Sequence, residues 1–267
     1  MESGIGNHRG NPGPYQALIL RSNPLLAQSG PALQEPRFVQ SLFNGIARRY
    51  DLANHLLSGG MDYLWRRRLA RIVAGWEPRS LLDLATGSGD VALTLRRHCP
   101  RARIVGADFS LPMLREARRK GFDAVVAADG MALPFAPESF DGVTIAFGLR
   151  NMASWPGALR EMARVLRPGG RVLILDFSMP AAPLRWVYRP YLHRVLPRIA
   201  GALTRDKSAY EYLGASIEAF PAGAAMEALL GEAGFTEART RRWTGGIVSL
   251  YTARKPIPAA STSPAER

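Results

Sequence analysis

The chain predicts an α/β fold with a mainly parallel sheet, and three observations carry that reading. Short apolar runs alternate with amphipathic stretches, the first three runs each lead to an acid, and a glycine turn follows the first. Such an alternation brings the strand ends to one rim of the sheet, where ligands bind.

Taken in order, residues 1–36 are rich in Gly, Pro, Ser and Asn and hold no sustained period, so a disordered extension is expected there. Phe38, Leu42, Phe43, Ile46 and Ala47 recur at helical spacing, as do Leu64, Leu69, Ile72 and Val73, which predicts a helical lid over 37–76. The first strand runs through Leu81-Leu82-Asp83-Leu84 into the turn Gly87-Ser88-Gly89. A second, Arg103 to Ala107, ends at Asp108, and a third, Asp123 to Ala128, ends at Asp129-Gly130. The fourth is expected over Gly142 to Phe147 and the fifth over Arg171 to Leu175, after Pro168-Gly169-Gly170. Residues 179–220 read as a helical insertion over a substrate pocket, its segment Pro183 to Leu203 mixing aromatic and basic side chains. An ordinary amphipathic helix packed on the core is the plainer alternative. A helix over Gly223 to Gly231 follows, then strands over Phe235 to Trp243 and Ile247 to Ala253, joined by a hairpin turn at Thr244-Gly245-Gly246. Residues 256–267 are expected to be a disordered tail.

The turn and the acids point to an adenosine-bearing ligand. A carboxylate at the end of the second strand, Asp108, can accept hydrogen bonds from both ribose hydroxyls. Ala92 at the third position of the glycine pattern is compatible with a dinucleotide as well. Asp83 beside the turn suits a cationic methionine tail better than a pyrophosphate, which favours S-adenosylmethionine. Asp129 stands where the adenine amino group would be read. A bare G-x-G after a strand is also what a simple strand-to-helix turn looks like, so the later strand ends are needed to support the reading.

Composition sets outer bounds. With 267 residues, 47% of them hydrophobic, the chain can bury one sizeable core. Cys99 is the one cysteine, which rules out an intrachain disulfide and a Cys-rich zinc site, and no histidine pair has ligand spacing, so no metal is expected. No apolar run reaches the length of a membrane span, which makes a cytoplasmic protein the expectation. The net charge of +13 comes almost wholly from arginine. A GC-rich genome explains such a bias without selection. The functional alternative is peripheral contact with an anionic membrane surface, where each nearby basic residue contributes about 1 kcal/mol. No nucleic-acid-binding signature accompanies the charge, so no specific nucleic-acid partner is expected.

Four stretches carry a more specific signal: YDLANHLLSGGMDYLW (Tyr50 to Trp65), AFGLRNM (Ala146 to Met152), RVLRPGGRVLILDFS (Arg164 to Ser178) and YEYLGASIEAFP (Tyr210 to Pro221). Through them the chain, from about Phe38 to Lys255, closely resembles the ubiquinone and menaquinone biosynthesis C-methyltransferase family. The resemblance implies a class I S-adenosylmethionine-dependent methyltransferase fold, Rossmann-like, with a mainly parallel seven-stranded sheet, helices on both faces and an antiparallel C-terminal strand. It implies a single methyltransferase domain over 37–255. It also implies cofactor-binding roles for Asp83, Gly87, Ser88, Gly89, Asp108, Asp129 and Gly130, and C-methylation of a polyprenyl hydroquinone ring, demethylmenaquinol first and a ubiquinone-pathway benzoquinol as alternative. Four positions depart from the family pattern: Ser88 replaces Thr, Asp62 replaces His, Ala146 replaces Ser and Asp176 replaces Glu.

The chemistry asks for alignment of a nucleophilic ring carbon and for stabilisation of a phenolate. Arg150 and Asn151, just after the fourth strand, are the candidates for holding the hydroquinone oxygens, arginine as a permanent cation. The plainer alternative pairs Arg150 with Asp51 or Glu161. Tyr50, Asp51, Asn54 and Asp62 lie on the lid and within reach of a substrate by sequence position, Asp51 and Asn54 being equally suited to helix capping. Other classes compatible with the chain are a nucleic-acid methyltransferase, against which the fourth-strand AFGLRN stands, and a non-catalytic cofactor-binding protein.

Overall fold

The computed structural model describes residues 58–196, 198 and 208–258. The expected extension over 1–36, the first lid helix with Tyr50, Asp51 and Asn54, and most of the C-terminal tail lie outside these residues. Helix α1 spans Met61–Ala74, followed by β1 (Ser80–Leu84), α2 (Asp90–His98), β2 (Arg103–Asp108), α3 (Leu111–Arg119), β3 (Val125–Ala127) and β4 (Phe140–Ala146). A 3-10 turn at Leu149–Asn151 leads to α4 (Trp155–Val165), β5 (Leu166–Phe177), α5 (Leu184–Pro190), α6 (Ser208–Ala219), α7 (Ala224–Glu232), β6 (Thr236–Trp243) and β7 (Val248–Arg254).

The strands form one seven-stranded sheet in the order β3-β2-β1-β4-β5-β7-β6. Strands β1 to β5 are parallel to one another, and β7 runs antiparallel to β5 and to β6. The direction of strand order reverses between β1 and β4, so the crevice at their C-terminal ends is the topological switch point where open α/β sheets bind ligands.

The central strands read as continuous apolar runs because both of their faces are covered. On β5, Val172 and Ile174 face the helices that bring Leu159, Met162, Met226 and Leu230, while Leu173 and Leu175 face those that bring Trp65, Leu69 and Leu95. Each fully buried leucine of this kind contributes about 1.5–3 kcal/mol. Edge strand β6 is protected differently: Arg239, Arg241 and Arg242 are exposed along it, and charge on an edge resists pairing with another chain. Part of the arginine excess therefore has a structural use.

Several expected boundaries move. Strand β3 keeps three residues, Val125 to Ala127, paired with Gly106 to Asp108, and Asp123 and Ala124 are exposed before it. Strand β5 begins five residues early, at Leu166, pairs with Phe140, and then bulges through Pro168-Gly169-Gly170 before rejoining β4 at Arg171. Gly169 takes φ +78 in that bulge, and its N–H and the Gly170 carbonyl are satisfied by Lys255 backbone groups. Residues Thr244–Gly246 form a 3-10 turn in place of the expected simple hairpin. In the insertion, α5 ends at Pro190 and a π turn over Tyr191–Val195 follows, as expected where proline removes an N–H from the helical ladder. Helix α1 is rotated relative to the expected face: it buries Trp65, Leu69, Ala70 and Val73 and leaves Leu64 exposed.

Candidate active site

The first strand ends in a backbone that few residues adopt. Ala85 has φ +53, Gly87 φ +55 and Gly89 φ +83, and across the switch point Phe147 has φ +59. Left-handed conformations at Ala85 and Phe147 cost free energy and persist only where the surroundings fix them. Between these two bends lies a cavity of about 290 Å³. Gly148 makes the approach of its walls possible, because a Cβ there would lie 2.4 Å from the Ala85 Cβ.

Two buried acids anchor the cavity. Asp83 accepts hydrogen bonds from the hydroxyls of Thr86 at 2.7 Å and Thr144 at 2.8 Å. Burial outweighs those bonds, and the nearby Asp108 charge adds to it, so the Asp83 carboxyl is pushed up to about 6. Asp108 accepts the Gly87 N–H on one oxygen and the Ser110 N–H on the other, both at 2.8 Å. Burial raises its carboxyl too, against those backbone bonds. A carboxylate has about four acceptor sites, so after backbone bonds from Gly87, Phe109 and Ser110 capacity for a ribose hydroxyl remains. Asp129, beyond the end of β3, accepts the Met131 N–H at 2.9 Å and is exposed at the cavity rim, and Gly130 is buried beneath Met152.

A chain of charges ties α1 to the glycine turn. Arg66 donates to Asp62 on its own helix and to Asp90 at the start of α2. Lys120 donates to Asp90 at 2.7 Å and to the Ser88 hydroxyl at 3.0 Å. Burial alone would raise the Asp90 carboxyl, but Arg66 and Lys120 outweigh it and hold it below the usual range. These acids are neutralised by their cations, whereas among the described residues no cation is in hydrogen-bond contact with Asp83 or Asp108. The deep part of the cavity therefore favours a positively charged ligand.

The opposite wall is aromatic. Phe147 and Phe177 line it with ring centroids 4.7 Å apart, and Trp65 packs against both from behind at 6.0 and 6.1 Å. Trp65 is in turn held by its indole N–H, which donates to Thr244 at 2.9 Å. Asn151 also lines the cavity; its Nδ2 donates to the Phe147 carbonyl at 3.3 Å and its Oδ1 accepts from the Tyr212 hydroxyl at 3.0 Å.

Arg150 is placed differently from the sequence expectation. It is 5% exposed and is not among the described residues that line the cavity. Its guanidinium donates to Asp176 at 2.7 Å and to the Phe147 carbonyl, and lies 5.4 Å from the Phe177 ring centroid. Among the described residues Asp176 is an ionic partner of Arg150, while Glu161 binds Arg164; Asp51 lies outside the described residues. The reason is topological: β5 lies beside β4, so the acid near its end reaches the 3-10 turn that follows β4.

Six of the expected ligand-binding residues, Asp83, Gly87, Ser88, Asp108, Asp129 and Gly130, thus surround one cavity, and Gly89 shapes the turn without lining it. Ala146 and Asp62 line it as well. The Arg66–Asp90–Lys120 links, Thr144, Phe147 and Phe177 were not singled out from sequence. Phe147 and Phe177 had a usable signal, since each closes an apolar run at the same rim as the acids; the charge links had none.

S-adenosylmethionine fits these residues on the chemistry of the donor set: remaining acceptor capacity on Asp108 for a ribose hydroxyl, and buried acid that no described cation bonds. A sheet of this order with that cavity at its switch point makes the protein a class I S-adenosylmethionine-dependent methyltransferase. Comparison with known proteins agrees: residues 31–255 match the ubiE/COQ5 methyltransferase family, and the chain belongs to that family. It is 46% identical over 221 residues to the demethylmenaquinone methyltransferase of Thermus thermophilus, covering 80% of this chain and 100% of that protein. It is 46% identical over 223 residues to the ubiquinone/menaquinone biosynthesis C-methyltransferase UbiE of Syntrophotalea carbinolica, covering 81% of this chain and 94% of that one. Among solved structures, an S-adenosylmethionine-dependent methyltransferase of Thermotoga maritima shares the fold, with a TM-score of 0.60 at 19% identity over 81% of this chain and 99% of that one.

Proposed function

We propose that this enzyme methylates a ring carbon of a polyprenyl hydroquinone, converting demethylmenaquinol to menaquinol. The observation that carries the reading is the 46% identity to a demethylmenaquinone methyltransferase across its entire length. The aromatic wall of Phe147 and Phe177, their rings tilted 38° to one another beside the acid-lined pocket, supports it, because a planar ring can pack against either ring. When bound, S-adenosylmethionine supplies an activated methyl group on a sulfonium.

The chain's own residues divide the rest. Asp108 and Gly87 hold the ribose side, Asp129 and Gly130 the adenine side, and Asp83, with the turn Gly87-Ser88-Gly89, the cationic tail. Asn151, fixed by Tyr212 and the Phe147 carbonyl, orients a ring oxygen. Arg150 acts through others: paired with Asp176, it pins the turn that presents Phe147 and Asn151. Tyr212 is not a base at neutral pH, since burial pushes its hydroxyl up to about 12. In this reading 37–255 form one methyltransferase domain, with the lid and the 179–220 insertion over the pocket, and the enzyme meets its substrate at an anionic membrane surface. No helix among the described residues is long and apolar enough to cross a membrane.

A benzoquinol of the ubiquinone pathway is the second reading, favoured by the name of the Syntrophotalea relative. Offering both demethylated quinols in detergent with isotope-labelled cofactor decides between them. Label on the naphthoquinol ring carbon is the expected outcome; label on the benzoquinol alone would move the assignment.

A further inference from the structure

Helix α5 and the π turn after it have two unlike sides. On the inner side, Tyr188, Leu192 and Leu196 are buried with Ile217 and pack against Phe177, the residue that lines the cavity. On the outer side, Trp186 is 73% exposed, Val187 71%, Val195 42% and Leu184 39%. Scattered single hydrophobics need no explanation, but here four fall within twelve residues, and an exposed tryptophan is costly to maintain without use. The charges carried by the segment itself are of one sign. From Ser178 to Arg205 the sequence holds Arg185, Arg189, Arg194, Arg198 and Arg205 and no Asp or Glu. Arg189 reaches across to Glu218 on α6 at 2.7 Å, and Arg185, Arg194 and Arg198 are exposed on the same segment as the tryptophan.

We propose that this outer side of α5 and the π turn is a docking surface for an anionic lipid bilayer, with Trp186 and Val187 entering the headgroup boundary and the arginines meeting lipid phosphates. The inference rests on the hydroquinone reading, which gives the enzyme a substrate resident in that bilayer. Charge complementarity selects the partner: arginine stems lie along apolar surface while their heads reach anionic groups, and tryptophan suits the interface, apolar in body with one polar N–H. The inner side of the same helix roofs the aromatic wall, so docking brings the pocket to the membrane rather than away from it.

The test uses the full-length protein, sedimented with vesicles of phosphatidylcholine alone or with added phosphatidylglycerol, and compares wild type with a Trp186→Glu, Val187→Glu double variant. Wild type should pellet with the phosphatidylglycerol vesicles at low salt, be released at high salt, and stay in solution with neutral vesicles. The double variant should bind at least about tenfold more weakly, while methylating a detergent-dispersed quinol at the wild-type rate. Equal vesicle binding by the two proteins, or none by wild type, overturns the proposal, and so does loss of detergent activity in the variant. Retention of wild type by an acidic protein partner but by neither vesicle would replace lipid with protein. If wild type pellets as expected yet labels no quinol in detergent, docking stands and the ring chemistry falls.

Discussion

At the scale of single residues, the two deepest acids of the site, Asp83 and Asp108, sit where burial disfavours their charged form. Asp83 titrates near 3.8 in an unfolded chain and is pushed up to about 6 in the fold. Between those values the native state binds more protons, so its ionisation costs stability as pH rises through that window, and above it the cost is constant at roughly 3 kcal/mol. Asp83→Asn should therefore be more stable than wild type without cofactor at about pH 8, with the advantage shrinking below about pH 5. Urea unfolding at the two pH values checks this, and cofactor titration should show affinity lost in the same variant. Gly148→Ala should act through shape: its Cβ would lie 2.4 Å from that of Ala85, forcing the cavity walls apart. A loss of cofactor affinity of about tenfold or more by calorimetry is expected, equivalent to ~1.4 kcal/mol. Asp83, Asp108 and the glycine turn were legible in the sequence because strand, turn and acid are contiguous or one strand apart. The Asp62–Arg66–Asp90–Lys120 links were not, because Arg66 and Lys120 stand 24 and 30 residues from Asp90 and meet it only once α1 and α3 are packed beside α2.

At the scale of elements, the switch-point turn depends on one buried ion pair. Asp176 is fully buried and accepts from the Arg150 guanidinium and from the Arg150 and Phe177 backbone N–H groups. Asp176→Ala removes the buried carboxylate that accepts from the Arg150 guanidinium and from two backbone N–H groups, and should cost about 3–5 kcal/mol in urea unfolding. Replacing both partners by Met and Leu should recover most of that stability, with methyl transfer still depressed because nothing pins Phe147 and Asn151. The parallel strands were readable as apolar runs since both faces are covered, but their ends were not. Strand β3 ends level with the end of β2 at Asp108, strand β5 starts ahead of a glycine bulge, and α5 ends at a proline in a stretch whose period alone would have continued. Helix α1 shows the same limit: its spacing predicted a helix, yet Leu64 faces solvent because Trp65 is taken by Phe147, Phe177 and Thr244.

At the scale of the whole molecule, the sheet order, the acid-lined cavity and the aromatic wall place a cationic methyl donor and a planar acceptor at one rim, under a helix whose outer side is apolar and basic. The net charge of +13 serves edge protection along β6 and, in the docking proposed above, lipid contact at α5. Composition alone did not distinguish them, because exposure and placement are properties of the folded chain. The account turns on Asp108 holding the cofactor while the hydroquinone accepts the methyl group on carbon. The most direct test is transfer of an isotope-labelled methyl group from S-adenosylmethionine to demethylmenaquinol by wild type and by Asp108→Ala. Label on a ring carbon that falls by about 100-fold or more in the variant, a loss of ~2.7 kcal/mol of binding, is the expected result. Label on a ring oxygen, no label at all, or undiminished transfer by Asp108→Ala would contradict it.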